Sequence, residues 1–162
     1  MRKLTFIMLA VAVIGGVFTS CKKDKNEQPT EKEYTVVYKL EDHITIDQIT
    51  IYLSDCFTYD FTYTGVDGNA VEVKDAKAGW ETEIKVKAPF TAKIEGKIKY
   101  NEAELPKENI HFSYTLANIS YSGYYTNNIR IGTFSTKEEF LAYINKHPDR
   151  LNFSTTTEIK TE

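Results

Sequence analysis

The sequence predicts an all-β fold: a single antiparallel β-sandwich, immunoglobulin-like or transthyretin-like, with one short C-terminal helix at about 135–147. Three observations carry this. Apolar and polar residues alternate with period two along most of the chain from Tyr34 onward. Turn residues such as Asp67-Gly68 break that alternation at short intervals. Helical spacing with a start signal is found after Ser135 alone.

In chain order, Tyr34, Val36, Tyr38 and Leu40 alternate with Thr35, Val37 and Lys39. Ile44, Ile46, Ile49, Ile51 and Leu53 supply one or two strands around Asp47-Gln48. Phe57, Tyr59, Phe61 and Tyr63 alternate with Thr58, Asp60, Thr62 and Thr64, the cleanest strand in the chain. Asp67-Gly68 supplies the positive φ of a tight hairpin, and Val71 and Val73 mark the returning strand. A loop leads to Trp80, a residue expected in the core. Ile84, Val86 and Ala88 form a strand that Pro89 stops. Ala92, Ile94, Ile98 and Tyr100 continue the pattern, with Gly96 on the same face as a bulge or a close approach, while Lys93, Glu95, Lys97 and Lys99 face water. After a loop at 101–109, Ile110, Phe112, Tyr114 and Leu116 make another inward row. Ile119 and Tyr121, with Ile129 and Ile131, suggest a final hairpin around Ser122-Gly123. About seven to nine short strands of this kind are the pattern of a sandwich. The cysteine pair that links the sheets of true immunoglobulin domains is absent.

Ser135-Thr136-Lys137-Glu138 reads as a capping box, with Ser135 as the cap and Glu138 reaching back to it. Phe140, Leu141 and Ile144 then form an apolar stripe, and His147-Pro148 ends the helix. Leu151 to Ile159 is either a last edge strand or a frayed end.

The first residues have a different character. Arg2 and Lys3 are basic, Leu4 to Phe18 is uncharged and largely apolar, and Thr19-Ser20-Cys21 is small. This is the build of a secretory signal. Its apolar run is about fifteen residues, short of the ~20 that span a bilayer. Phe18-Thr19-Ser20-Cys21 resembles the lipobox of bacterial lipoproteins. That resemblance implies that Cys21 takes a diacylglycerol, that the chain is cut just before it, and that the new amino group is acylated. Most lipoboxes have Leu where Phe18 stands. Phe at that place is similar to small lipoproteins of the Bacteroides group. The division expected is a signal peptide at 1–20, a lipidated tether at 21–33 and a β-sandwich domain at 34–162. The tether is polar and contains Pro29. Two or more acyl chains give stable anchoring, so the expected first partner is the membrane, through an N-terminal lipid. Lys22 stands where lipoproteins retained at the inner membrane carry Asp, which implies the outer membrane. The basic run Lys22-Lys23-Asp24-Lys25 favours its periplasmic face over the cell surface.

The chain has 20 basic and 23 acidic residues. Without Arg2 and Lys3 the balance is 18 against 23, a net charge of −5. Lys and Glu are interspersed, so no basic stripe offers itself to nucleic acid.

Motifs that carry chemistry are absent from the sequence. His43, His111 and His147 lack metal-ligand spacing. His43 beside Asp42 reads as an ordinary surface turn, His111 falls on the outward side of its strand, and His147 belongs to the last helical turn. There is no Gly-x-Ser-x-Gly elbow and no phosphate-cradling glycine loop. Asp67 and Asn69 lack the rest of a calcium loop. Glu102 and Glu104 lie in a loop. Cys56 reads as a partly buried small residue without a basic neighbour to activate it. No catalysis, cofactor or metal is expected. The remaining lead is Tyr121, Tyr124, Tyr125, Asn127 and Asn128, because exposed Tyr rings and amides stack on and hydrogen-bond a sugar or peptide. The function expected is a membrane-anchored, non-catalytic lipoprotein serving as a structural or assembly partner in the cell envelope. The alternative is a glycan- or peptide-binding accessory lipoprotein that uses this Tyr-rich hairpin.

Overall fold

A computed structural model describes residues 32–113, 117–127 and 130–161, with Asn127 described in its backbone alone. Cys21, the lipobox, the signal segment, Tyr114, Leu116, Asn128 and Ile129 lie outside the described residues. The described chain is an antiparallel β-sandwich. One sheet has the order β10-β9-β1-β6, formed by Tyr124–Asn127, Ala117–Tyr121, Glu33–Leu40 and Glu81–Lys87. The other has the order β12-β7-β4-β5, formed by Asn152–Ile159, Phe90–Tyr100, Phe57–Thr64 and Ala70–Ala76. Two ribbons stand apart from these sheets: β2 (His43–Ile46) with β3 (Ile49–Tyr52), and β8 (Glu108–Ser113) with β11 (Ile131–Thr136). The single α-helix among the described residues, α1, spans Lys137–Lys146.

Alternation builds the core. Tyr34, Val36, Tyr38 and Leu40 of β1 are buried, and they face Phe57, Tyr59 and Phe61 of β4 with Ala92, Ile94 and Ile98 of β7. Tyr38 spans the gap and donates from Oη to the Thr64 carbonyl at 2.8 Å. Burial pushes its phenol up to about 12, against the opposing pull of that hydrogen bond. Trp80 is half-buried and meets Phe61 edge-on, with centroids 4.8 Å apart. Gly96 is a close approach and not a bulge, because β4 pairs with β7 in unbroken register there. A Cβ at Gly96 would collide with the Asp60 carbonyl and with Phe61.

The helix closes one end. Phe140 is fully buried among Phe57, Tyr100, Phe112 and Phe134, at centroid distances of 5.2 to 5.6 Å. Such edge-on pairs add to the area buried.

Three sequence expectations change here. Twelve strands are formed among the described residues, more than the seven to nine expected. One contribution is the two-residue turn at Asp47-Gln48, where both residues take positive φ without a glycine, so that this segment forms two strands and not one. The capping box sits one residue later than expected: Thr136 is the cap, accepting from Glu139 N, and Glu139 reaches back. Thr136 is still extended and paired with Glu108, so the helix cannot start at Ser135. Ile131 belongs to β11 and pairs with Ser113 of β8, not with the Tyr hairpin. Of the two alternatives open for 151–159, the edge strand forms, at 152–159, because Phe153, Thr155, Thr157 and Ile159 all face inward.

Candidate functional site

The hairpin singled out in the sequence forms. Ser122 and Gly123 both have positive φ, 46° and 82°, the two-residue turn that matches strand twist. The turn sets Tyr124 opposite Tyr121. Their rings stack with centroids 5.4 Å apart and 28° between planes. Tyr121 is half-buried, lies edge-on to Tyr34, and donates from Oη to the Glu158 carbonyl at 3.4 Å. Tyr124 remains 67% exposed. One end of the stack is therefore anchored in the sandwich and the other is open to solvent.

Tyr125 does not join the stack. Successive strand residues point to opposite faces, so Tyr125 lies on the outer face with Ser120. Its Oη donates to Glu41 Oε1 at 3.1 Å. The turn, Thr35, Val37 and Ser120 border a shallow depression of about 290 Å³. Asn127 pairs through its backbone with Asn118, while its side chain lies outside the described residues.

Sequence reasoning missed the group that holds Tyr125. Glu41 is buried, and its carboxylate accepts from Asn118 Nδ2 at 2.9 Å and from Lys39 Nζ at 3.0 Å. Burial works against its charge. The bonds from Asn118, Lys39 and Tyr125 outweigh that and hold the carboxyl below its ordinary 4.5. Glu41 follows the alternating run of β1, and nothing in the sequence marks it as buried.

A second feature has no sequence signal of its own. In β2 and β3, Ile44 pairs with Ile51 and Ile46 with Ile49, giving one isoleucine face. At the tip Ile46 is 52% and Ile49 65% exposed. Period two places these strands, but it does not reveal that no described element covers the tip.

The other polar candidates sit as follows. His43 Nδ1 lies 2.6 Å from Asp42 Oδ1 at the foot of this hairpin, and the contact holds the Asp42 carboxyl below its usual value. His111 is half-buried, not exposed as expected: its backbone N–H donates to Ser54 Oγ at 3.0 Å, so the strand is covered on that side too. His147 ends α1 with its ring 5.0 Å from that of Tyr143. Cys56 is half-buried, and burial pushes its thiol up. No group of three or more His, Cys, Asp and Glu among the described residues is placed to hold a metal. No described helix is long and apolar enough to cross a membrane.

No protein-family model matches the chain, and no curated protein is significantly similar to it in sequence.

Proposed function

We propose that the protein is a lipid-anchored, non-catalytic component of the bacterial cell envelope that serves as a structural or assembly partner for another envelope protein. The anchor in this reading is Cys21, on the strength of the lipobox resemblance, with the outer membrane as its address and the periplasm as the compartment the domain faces. The observation that carries the partner role is the exposed isoleucine tip of the β2–β3 hairpin. A two-stranded ribbon is marginal by itself, and clustered exposed apolar side chains mark interaction surfaces.

The test is a photo-crosslinking residue at position 46 or 49 in living cells. One defined envelope protein should be captured, and Ile49→Lys in a chain carrying the crosslinker at 46 should abolish capture. Capture of many unrelated proteins, or of none, would remove the partner role. Metabolic labelling with palmitate tests the anchor separately: label should be lost in Cys21→Ser.

A second reading is supported by the Tyr121–Tyr124 stack, whose open ring suits the face of a sugar or a peptide side chain. Under it the protein is a glycan- or peptide-binding accessory lipoprotein.

A further inference from the structure

A cavity of about 350 Å³ lies at the foot of the β2–β3 hairpin. Its floor is apolar, made by Leu53, Phe57 and Ala78. Its polar lining is Asp42, Ser54, Asp55 and Lys77. Tyr52, 64% exposed as a residue, forms one lip with its ring tilted against that of His43. This cavity is distinct from the depression at the Tyr hairpin. Tyr121 pairs with Val36 near the start of β1, whereas Asp42 lies just beyond the end of that strand.

The polar groups are fixed before any ligand arrives. Asp42 Oδ1 is engaged by His43. Lys77 Nζ donates to the Asp55 carbonyl at 3.1 Å, which pins the ammonium at the rim. Ser54 Oγ accepts the His111 N–H, leaving its own proton free to donate. The backbone beneath is tied by Leu53 N to the Asp42 carbonyl at 2.8 Å and by Ser54 N to the His111 carbonyl at 3.0 Å.

We propose that this cavity binds a single neutral sugar ring. The chemistry selects the class. Carboxylates accept strongly from hydroxyls, and an ammonium and a hydroxyl donate to them. A sugar diol is both donor and acceptor, so it meets both kinds of group at once. The apolar C–H face of the ring matches the face of Tyr52. Two carboxylates against one ammonium disfavour an anion. The volume lies at the low end of the ~300–1,000 Å³ range of ligand pockets, which suits one ring and not a chain. The site is independent of the isoleucine tip and of the Tyr121–Tyr124 stack.

The unit Glu31–Glu162 contains the whole described core, so it is the protein to use. Amide spectra would be recorded with glucose, galactose, mannose, xylose and N-acetylglucosamine at millimolar concentration. At least one sugar should shift the amides of Ser54, Asp55, Lys77, Ala78 and Gly79. Tyr52→Ala, a change at an exposed position, should weaken that binding at least about tenfold, a loss of ~1.4 kcal/mol. Glu83→Ala, at an exposed position on β6 away from the cavity, should leave it unchanged, and glucuronate should bind more weakly than the neutral sugar. Absence of shifts with all five sugars would overturn the proposal. So would binding that survives Tyr52→Ala in a folded protein, shifts confined to residues 120–126, or tighter binding of glucuronate.

Discussion

Tyr125 Oη and Asn118 Nδ2 converge on the same oxygen, Glu41 Oε1, at 3.1 and 2.9 Å. A carboxylate that follows β1 thus ties together β9 and β10, the two strands that continue its own sheet to the edge. Lys39 closes the other oxygen at 3.0 Å. Removing the carboxylate leaves the buried Asn118 amide without this acceptor. Glu41→Ala should destabilise the unit by about 1.5–3 kcal/mol, the range for hydrogen bonds to a charged group. Glu41→Gln keeps the shape and should cost less. Denaturant titration of both variants checks the order.

The same carboxylate gives a pH signature. Its folded value lies below 4.5, so the stabilisation is fully present above that pH and is lost as pH falls through the lowered value. The stability difference between the native protein and Glu41→Gln should therefore be constant at neutral pH and shrink on acidification below about 4.5. Asp42, Asp60 and Asp67 are held low as well and act with the same sign, so Glu41→Gln should flatten the acid limb without abolishing it. Unfolding curves recorded across the acid range would show this, and an unchanged gap would refute the role given to Glu41.

The helix start separates two neighbouring residues. Thr136 Oγ1 accepts from Glu139 N at 3.2 Å, and Glu139 Oε2 accepts from the Ser135 and Thr136 amides. The Ser135 hydroxyl has no part in the cap. Thr136→Ala should cost about 1 kcal/mol, the usual worth of an N-cap, and Ser135→Ala within about 0.5 kcal/mol of nothing. Thermal unfolding of the two variants decides which residue caps.

Gly96 bears on the packing of β7 against β4. A side chain there meets backbone, namely the Asp60 carbonyl and the Phe61 Cα, which cannot swing away as a flexible side chain would. Gly96→Ala should cost at least ~1–3 kcal/mol, the range for overpacking. The denaturation midpoint is the readout.

How far the sequence could be read follows from which signals are local. β1 and β4 were legible because tyrosine, valine and phenylalanine alternate with polar residues through eight positions. The helix was legible from its stripe, but its cap was misplaced by one residue because Ser135 and Thr136 are both good caps and pairing to Glu108 decides between them. β12 was ambiguous because Ser154, Thr155, Thr156 and Thr157 look alike, and only contact makes two of them interior. Thr155 Oγ1 donates to the Ala117 carbonyl at 3.2 Å, and Thr157 Oγ1 to Thr126 Oγ1 at 2.7 Å. The Tyr residues of the candidate site were legible as a cluster, but not as two faces. Glu41 and the bare isoleucine tip depend on what lies opposite them in space, which periodicity does not encode.

The division of the tyrosines makes the sugar- or peptide-binding reading divisible too. Tyr124 stacks on Tyr121 and is 67% exposed, so its loss removes a ring that packing hardly uses. Tyr124→Ala should change stability by within about 0.5 kcal/mol and abolish any ligand contact made by the stack. Tyr125→Ala should do the reverse: it removes a bond to Glu41 on the other face, costing about 0.5–1.5 kcal/mol, and leaves the stack intact. A glycan or peptide screen beside a denaturation curve for each single variant separates the two. If both variants lost binding equally while remaining equally stable, the rings would have to act as one surface, and the opposite-face placement would be wrong.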